Sequence, residues 1–196
     1  MNRYYLIYKP YGVLNQFRDE LGRPTLASLY DFPKDVYAVG RLDIDSEGLL
    51  LLTNDKSINH KLLNPKFKHK KTYWVQVEGN ITDEAIEKLE KGLAIKIEGR
   101  VYHTLPAQAL RFDTPPSLPD RDPPIRFRKN IPTSWISLSI VEGKKHQVRK
   151  MTAAVGFPTL RLVRYQIQDL DLSDMKVGEV RELSEQEIYQ GLFGKY

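Results

Sequence analysis

The chain has 196 residues, of which 41% are hydrophobic and 28% charged, with a net charge of +5 and no cysteine. Without cysteine, disulfides, Cys-ligated zinc, iron–sulfur clusters and thiol catalysis are excluded. The longest aliphatic run, residues 48–52, is far short of the roughly 20 residues that span a bilayer. The N-terminus lacks a signal-peptide pattern, so a cytoplasmic location is the default expectation.

Tyr4–Tyr8 predicts a strand, closed by the Lys9-Pro10-Tyr11-Gly12 turn. Val36–Val39 and Leu49–Thr53 predict two buried strands around a polar loop. Asp55–Leu63 predicts a helix, with Ile58, Leu62 and Leu63 on one side and Pro65 beyond its end. Lys71–Val77 alternates as a strand does. Thr82–Leu93 predicts a helix capped by Thr82, with Asp83 and Glu84 at its positive end and Gly92 to stop it. Leu93–Ile97 and Val101–Phe112 predict strands around the Glu98-Gly99 turn. Six of the twelve prolines fall in residues 113–133, which predicts a long irregular loop. Trp135–Val141 and Leu160–Ile167 predict strands, Lys144–Val155 a basic helix, and Ser184–Leu192 a short terminal helix. This order indicates an α+β fold with substantial antiparallel sheet. No composition shift divides the chain into two domains.

Charge is unevenly spread. Residues 169–196 hold seven acidic and three basic side chains, leaving 27 of the 30 bases and 18 of the 25 acids in residues 1–168, a net +9 there. A basic body with an acidic tail points to a polyanionic partner. Charge alone does not separate RNA, DNA and acidic protein, but no helix-turn-helix or zinc signature supports DNA.

Three segments carry candidate chemistry. In Gly40-Arg41-Leu42-Asp43-Ile44-Asp45-Ser46-Glu47-Gly48, a carboxylate sits in a short polar loop between apolar runs. There the fold can set its solvation and reactivity. Asp43, Asp45, Glu47 and Gly48 superficially match an EF-hand, but the twelfth position is Asn54 and the flanks read as strands, which argues against calcium. In Glu142-Gly143-Lys144-Lys145-His146-Gln147-Val148-Arg149-Lys150-Met151, a glycine turn feeds a basic helix suited to phosphates and to an acidic partner. In Lys71-Thr72-Tyr73-Trp74-Val75, an aromatic lies beside lysines at 61, 66, 68, 70 and 71, a combination able to stack on an unstacked base. A tyrosine simply packed in the core is the competing reading of Tyr73.

Together with Lys9–Gly12, these segments resemble the RsuA-type bacterial rRNA pseudouridine synthases. The KPxG, GRLDxx(S/T)EGLLLLTND, KxY and EGKxxQ(V/I)R(K/R)M segments of that family occur here in order, as Lys9–Gly12, Gly40–Asp55, Lys71–Tyr73 and Glu142–Met151. The match continues through residues 155–164 and ends in residues 178–183. Many members carry an N-terminal S4 domain. Here the KPxG segment begins at Lys9, so one catalytic domain over residues 1–196 without S4 is expected. Lys56 and Phe157 stand where glycine and histidine are frequent in the family.

The resemblance implies the pseudouridine synthase catalytic core: an α+β fold of two lobes sharing a central, mostly antiparallel sheet, with a catalytic cleft between them. It implies site-specific conversion of uridine to pseudouridine in 23S rRNA, free or in a precursor particle. No cofactor and no metal are implied, and a monomer is expected. Asp43 is implied as the catalytic carboxylate, either a nucleophile at C1′ or a base at C2′. Arg149 is implied to pair with it, and Tyr73 to stack on the target uracil. Arg41 is implied to fill the space left by the flipped nucleotide, and Leu160 or Leu162 to line the base pocket. The lysines at 61, 66, 68, 70 and Lys71, with Lys144, Lys145 and Lys150, are implied to bind the RNA backbone. A non-catalytic rRNA-binding or ribosome-assembly factor on the same fold is the alternative, against which the intact Asp43, Tyr73 and Arg149 set argues.

Overall fold

The computed structural model describes residues 1–125 and 130–194. Residues 126–129 of the predicted loop, and Lys195 and Tyr196 of the acidic tail, lie outside the described residues. In chain order the strands and helices are β1 (Tyr4–Lys9), β2 (Tyr37–Ala38), β3 (Glu47–Thr53), α1 (Lys56–Leu63), β4 (Lys71–Glu78), α2 (Asp83–Lys91), β5 (Ala94–Ile97), β6 (Arg100–His103), β7 (Gln108–Arg111), β8 (Thr133–Ile140), α3 (Gln147–Ala154), β9 (Thr159–Ile167), β10 (Leu170–Asp171), β11 (Val180–Leu183) and α4 (Glu185–Phe193).

The predicted order holds, with corrections that have local causes. The strand expected over 101–112 is broken between β6 and β7. Thr104 exchanges two hydrogen bonds with Leu93: its N–H donates to the Leu93 carbonyl and its Oγ1 accepts from the Leu93 N–H, both at 3.0 Å. Pro106 then has no N–H for a ladder. The basic helix begins at Gln147, not Lys144, because the Gln147 side chain turns back to accept the Lys144 N–H at 3.0 Å and His146 is left-handed at φ 53°. The strand expected over 36–39 shortens to the two residues of β2. Strands β10 and β11 had no sequence signal, being short and half-buried.

The chain forms two compact units, residues 1–69 with 164–196, and residues 70–163. No linker marks them because the second crossing falls inside β9, an uninterrupted strand.

In the first unit, β1 lies between β3 and β11, antiparallel to both, with Lys9 opposite Gly48 and Leu6 opposite Arg181. β1 and β3 are buried along their whole length, which is why both read as unbroken apolar runs. Each of Leu49, Leu50, Leu51 and Leu52 is fully enclosed, and burial of a leucine stabilises by about 2 kcal/mol. Tyr5, Ile7, Leu50 and Leu52 share one core with Val13, Leu26, Val36 and Leu42. Beyond β3, Asp55 caps α1 by accepting the Ser57 N–H at 2.8 Å, and also accepts the Tyr4 and Tyr189 hydroxyls at 3.1 and 2.9 Å. Burial alone would raise this carboxyl, but those hydrogen bonds outweigh it and hold the group below its ordinary value.

In the second unit, β8 lies between β4 and β7, again antiparallel, with Tyr73 opposite Leu138 and Leu138 opposite Ala109. β5 and β6 form a separate hairpin. Val75 and Val77 of β4, Leu89 of α2, Ile136 and Leu138 of β8 and Met151 of α3 fill the core. α2 ends as predicted, with Thr82 accepting the Ala85 N–H at 3.3 Å and Gly92 as its C-cap.

Gly48 marks a close backbone crossing in the first unit. Its φ is +114°, and a Cβ there would lie 2.4 Å from the Arg164 carbonyl oxygen and 2.6 Å from its nitrogen. Gly12 also has positive φ, +79°, but open space around it. Gly48→Ala is expected to destabilise by roughly 3 kcal/mol or more and Gly12→Ala by about 1 kcal/mol, read by urea denaturation.

Candidate active site

Asp43 sits half-buried in the loop joining β2 to β3, between exposed Arg41 and Ile44 and next to Leu42, which anchors the loop in the core. The Ser46 N–H closes a turn on the Asp43 carbonyl at 3.0 Å. The KPYG turn is tied to the same loop, since the Gly12 N–H donates to the Ile44 carbonyl at 2.8 Å. The backbone just after the Asp43 Cα is therefore held at two successive carbonyls, those of Asp43 and Ile44.

Near this loop is Lys9, the first residue of the KPxG segment, whose burial the sequence did not signal. Lys9 is wholly buried, and its ammonium donates to the Pro10 carbonyl at 2.9 Å and the Val13 carbonyl at 2.7 Å. Desolvation depresses the amine to about 8, with Arg164 acting in the same direction, while Glu47, Asp45 and Asp43 oppose it. Glu47 is itself buried. The Arg164 guanidinium, also buried, donates from Nε to the Leu49 carbonyl at 2.8 Å. The hint of burial at Lys9 was a lysine ending the apolar run YYLIY before Pro-x-Gly.

The remaining predicted site residues belong to the second unit. Tyr73 packs with Val148, Met151 and Leu162 in the core. Arg149, half-buried, follows Val148 on α3, and Leu160, half-buried, precedes Leu162 by two residues on β9. Lys71, half-buried, opens β4 opposite Ile140. The three other lysines engage the β5–β6 hairpin: Lys144 Nζ lies 5.0 Å from the Tyr102 ring centre, Lys145 Nζ 3.4 Å from Glu98, and Lys150 Nζ donates to the Lys96 carbonyl at 2.6 Å.

Glu142 fixes the turn that carries these lysines. Its buried carboxylate accepts from the Tyr102 hydroxyl, the Leu105 N–H at 3.0 Å and Gln147 Nε2 at 2.7 Å. Its hydrogen bond, reinforced by burial, pushes the Tyr102 phenol up to about 12. Among the described residues, no group of three or more His, Asp or Glu is placed to hold a metal ion.

Lys9 makes a pH prediction. Its amine falls from 10.5 to about 8 on folding, so above pH 8 the unfolded chain binds the extra proton and stability rises with pH up to about 10.5. Below pH 8 both states are charged and this gain is absent. Against Lys9→Met, the wild type should gain roughly 2–3 kcal/mol of relative stability between pH 7 and 10, read by urea titration at each pH. A pH-independent difference would mean that the amine is not depressed.

Comparison with known proteins bears on the same loops. The family model described as RNA pseudouridylate synthase matches residues 3–154. The chain is 52% identical over 183 residues to "Ribosomal large subunit pseudouridine synthase E" of Vibrio parahaemolyticus, covering 93% of this chain and 74% of that one. It is 53% identical to the protein of the same name from Xanthomonas axonopodis pv. citri, covering 84% and 85%. It is 37% identical to "Ribosomal large subunit pseudouridine synthase B" of Bacillus subtilis, covering 94% and 69%. The solved structure described as "Crystal structure of pseudouridylate synthase" superposes with a TM-score of 0.78 at 28% identity, covering 98% of this chain and 74% of that one. With both sequence and fold in agreement, this chain belongs to the RNA pseudouridylate synthase family.

Proposed function

We propose that this protein isomerises uridine to pseudouridine at a specific site in 23S rRNA. The observation that carries the reading is Asp43, a half-buried carboxylate in a loop clamped at Ile44 and built over a buried cation. The names of the large-subunit relatives support the choice of rRNA.

In this reading the target nucleotide leaves its stack, at a cost of a few kcal/mol. The N1–C1′ bond breaks, the uracil turns over in place, C5 bonds to C1′, and the C5 proton is lost while N1 gains one. Asp43 acts either as the nucleophile at C1′ or as the base that removes the C2′ proton. One carboxylate suffices because the departing base is recaptured, whereas hydrolytic glycosidases need a second group to activate water. Arg149 pairs with Asp43, Tyr73 stacks on the uracil, and Leu160 or Leu162 lines its pocket. Arg41, exposed in the Asp43 loop, fills the gap left by the flipped nucleotide. Lys71, Lys144, Lys145 and Lys150 contact phosphates. The protein acts as a monomer in the cytoplasm, on free 23S rRNA or on a precursor particle.

Tritium release from 23S rRNA labelled at uridine C5 tests this. Wild type is expected to release tritium, and Asp43→Asn to lose at least about 10³-fold in rate while binding RNA within about threefold of wild type, since the carboxylate contributes chemistry rather than affinity. Equal release by both would contradict the role of Asp43.

A further inference from the structure

Between Asp55 and Glu78 the chain has six lysines, two histidines and no acidic residue. Within this stretch Phe67 is 52% exposed. Pro65–Phe67 is a single 3-10 turn, opened by Asn64 Oδ1 accepting the Lys66 N–H at 3.1 Å and closed by Lys68 in the left-handed conformation. The Phe67 ring begins a ladder of aromatic contacts. Phe67 lies 6.1 Å from the His69 ring, His69 lies 5.5 Å from Phe193, and Phe193 lies 5.5 Å from Tyr189. Tyr189 is fastened by its hydroxyl to Asp55, and Lys61 Nζ stands 5.5 and 5.4 Å from the Tyr189 and Phe193 ring centres. Phe67 is the ring of this ladder most turned to solvent, with the other rings packed behind it.

Its place is as informative as its chemistry. Leu63, the last residue of α1 and four before Phe67, lies against Gly40, where an added Cβ would be 3.2 Å from Leu63 Cδ2. Gly40 immediately precedes Arg41 and stands three residues before Asp43. The exposed Leu63 thus lies against the glycine that opens the Asp43 loop, and the exposed Phe67 follows it four residues later on the next turn. A half-exposed phenylalanine between cations, on a preformed surface, fits the face of an unpaired base whose phosphates need neutralising.

We propose that Phe67 is a stacking platform for an unpaired RNA base next to the nucleotide that enters the Asp43 site, with Lys66 and Lys68 on the adjoining phosphates. This rests on the proposed function for the identity of the polyanion. Because every base has a π face, the platform grips without reading sequence.

The test is binding of a short unstructured oligouridylate carrying one 2-aminopurine to the full-length protein, read by quenching. Phe67→Ala should weaken binding about tenfold and remove the quenching, while Phe67→Tyr keeps both. The salt dependence of Phe67→Ala should match wild type, because no phosphate contact is lost, whereas Lys66→Gln should flatten the slope by about 0.7. Wild-type binding and quenching by Phe67→Ala or Phe67→Leu would overturn the platform and leave the patch to a protein partner. If Phe67→Ala does not fold, Phe67→Leu against Phe67→Tyr decides. Absence of tritium release by wild type, with the Phe67 effect intact, would instead sink the isomerase reading and keep the platform.

Discussion

Lys9 carries an ammonium sealed from water at the end of β1, and the geometry around Asp43 is arranged so that this charge is tolerated. An unpaired buried charge would cost several kcal/mol. Here two backbone carbonyls accept from it, and the negative field of Glu47, Asp45 and Asp43 offsets part of the desolvation. Both carbonyls come from the KPYG turn and its continuation, so the cation fixes that turn. The turn in turn holds Ile44 through Gly12. On the other side, β3 can start where it does only because Gly48 lets the Arg164 backbone approach to a distance no side chain would allow. The carboxylate loop is thereby set between a buried charge and a close backbone crossing, neither of which depends on RNA.

The second unit uses the same device with the sign reversed. Glu142 is a buried anion, and three donors converge on it from the β5–β6 hairpin, its sequel and α3. Leaving such an acceptor's partners unpaired costs about 1–3 kcal/mol each. The consequence is that the turn at 143–146 and its lysines are presented on a rigid frame. Preorganised cations lose less entropy when they meet phosphates than mobile ones do.

Much of this was legible in the sequence, for identifiable reasons. β1 and β3 could be read because a strand buried on both faces must be apolar throughout. α2 could be read because Thr82 is a capping residue and does cap in the structure, and α1 because Ile58 and Leu62 recur on one side before Pro65; Asp55 and Ser184 also prove to be caps. Asp43 stood out because it interrupts two apolar runs. What could not be read depended on pairing across the chain. β11 exists because β1 offers it an edge. The break at 104–107 depends on Leu93 and Glu142, and the burial of Lys9 depends on the Pro10 and Val13 carbonyls and on Glu47. Each of these is a tertiary partnership with no local signature. The two-unit organisation was hidden because one of its crossings runs through the middle of β9.

An enzyme that must turn a base out of its stack and hold it while a bond is remade needs an active-site loop that does not move with it. In the proposed reading, the buried Lys9 near the Asp43 loop answers that need. The most direct measurement is nucleotide-resolution mapping of pseudouridine by carbodiimide modification and primer extension, on 23S rRNA from cells lacking this protein and complemented with wild type or Asp43→Asn. The account predicts one pseudouridine that disappears in the deletion, returns with wild type and stays absent with Asp43→Asn. A 23S pattern identical in all three strains would contradict it.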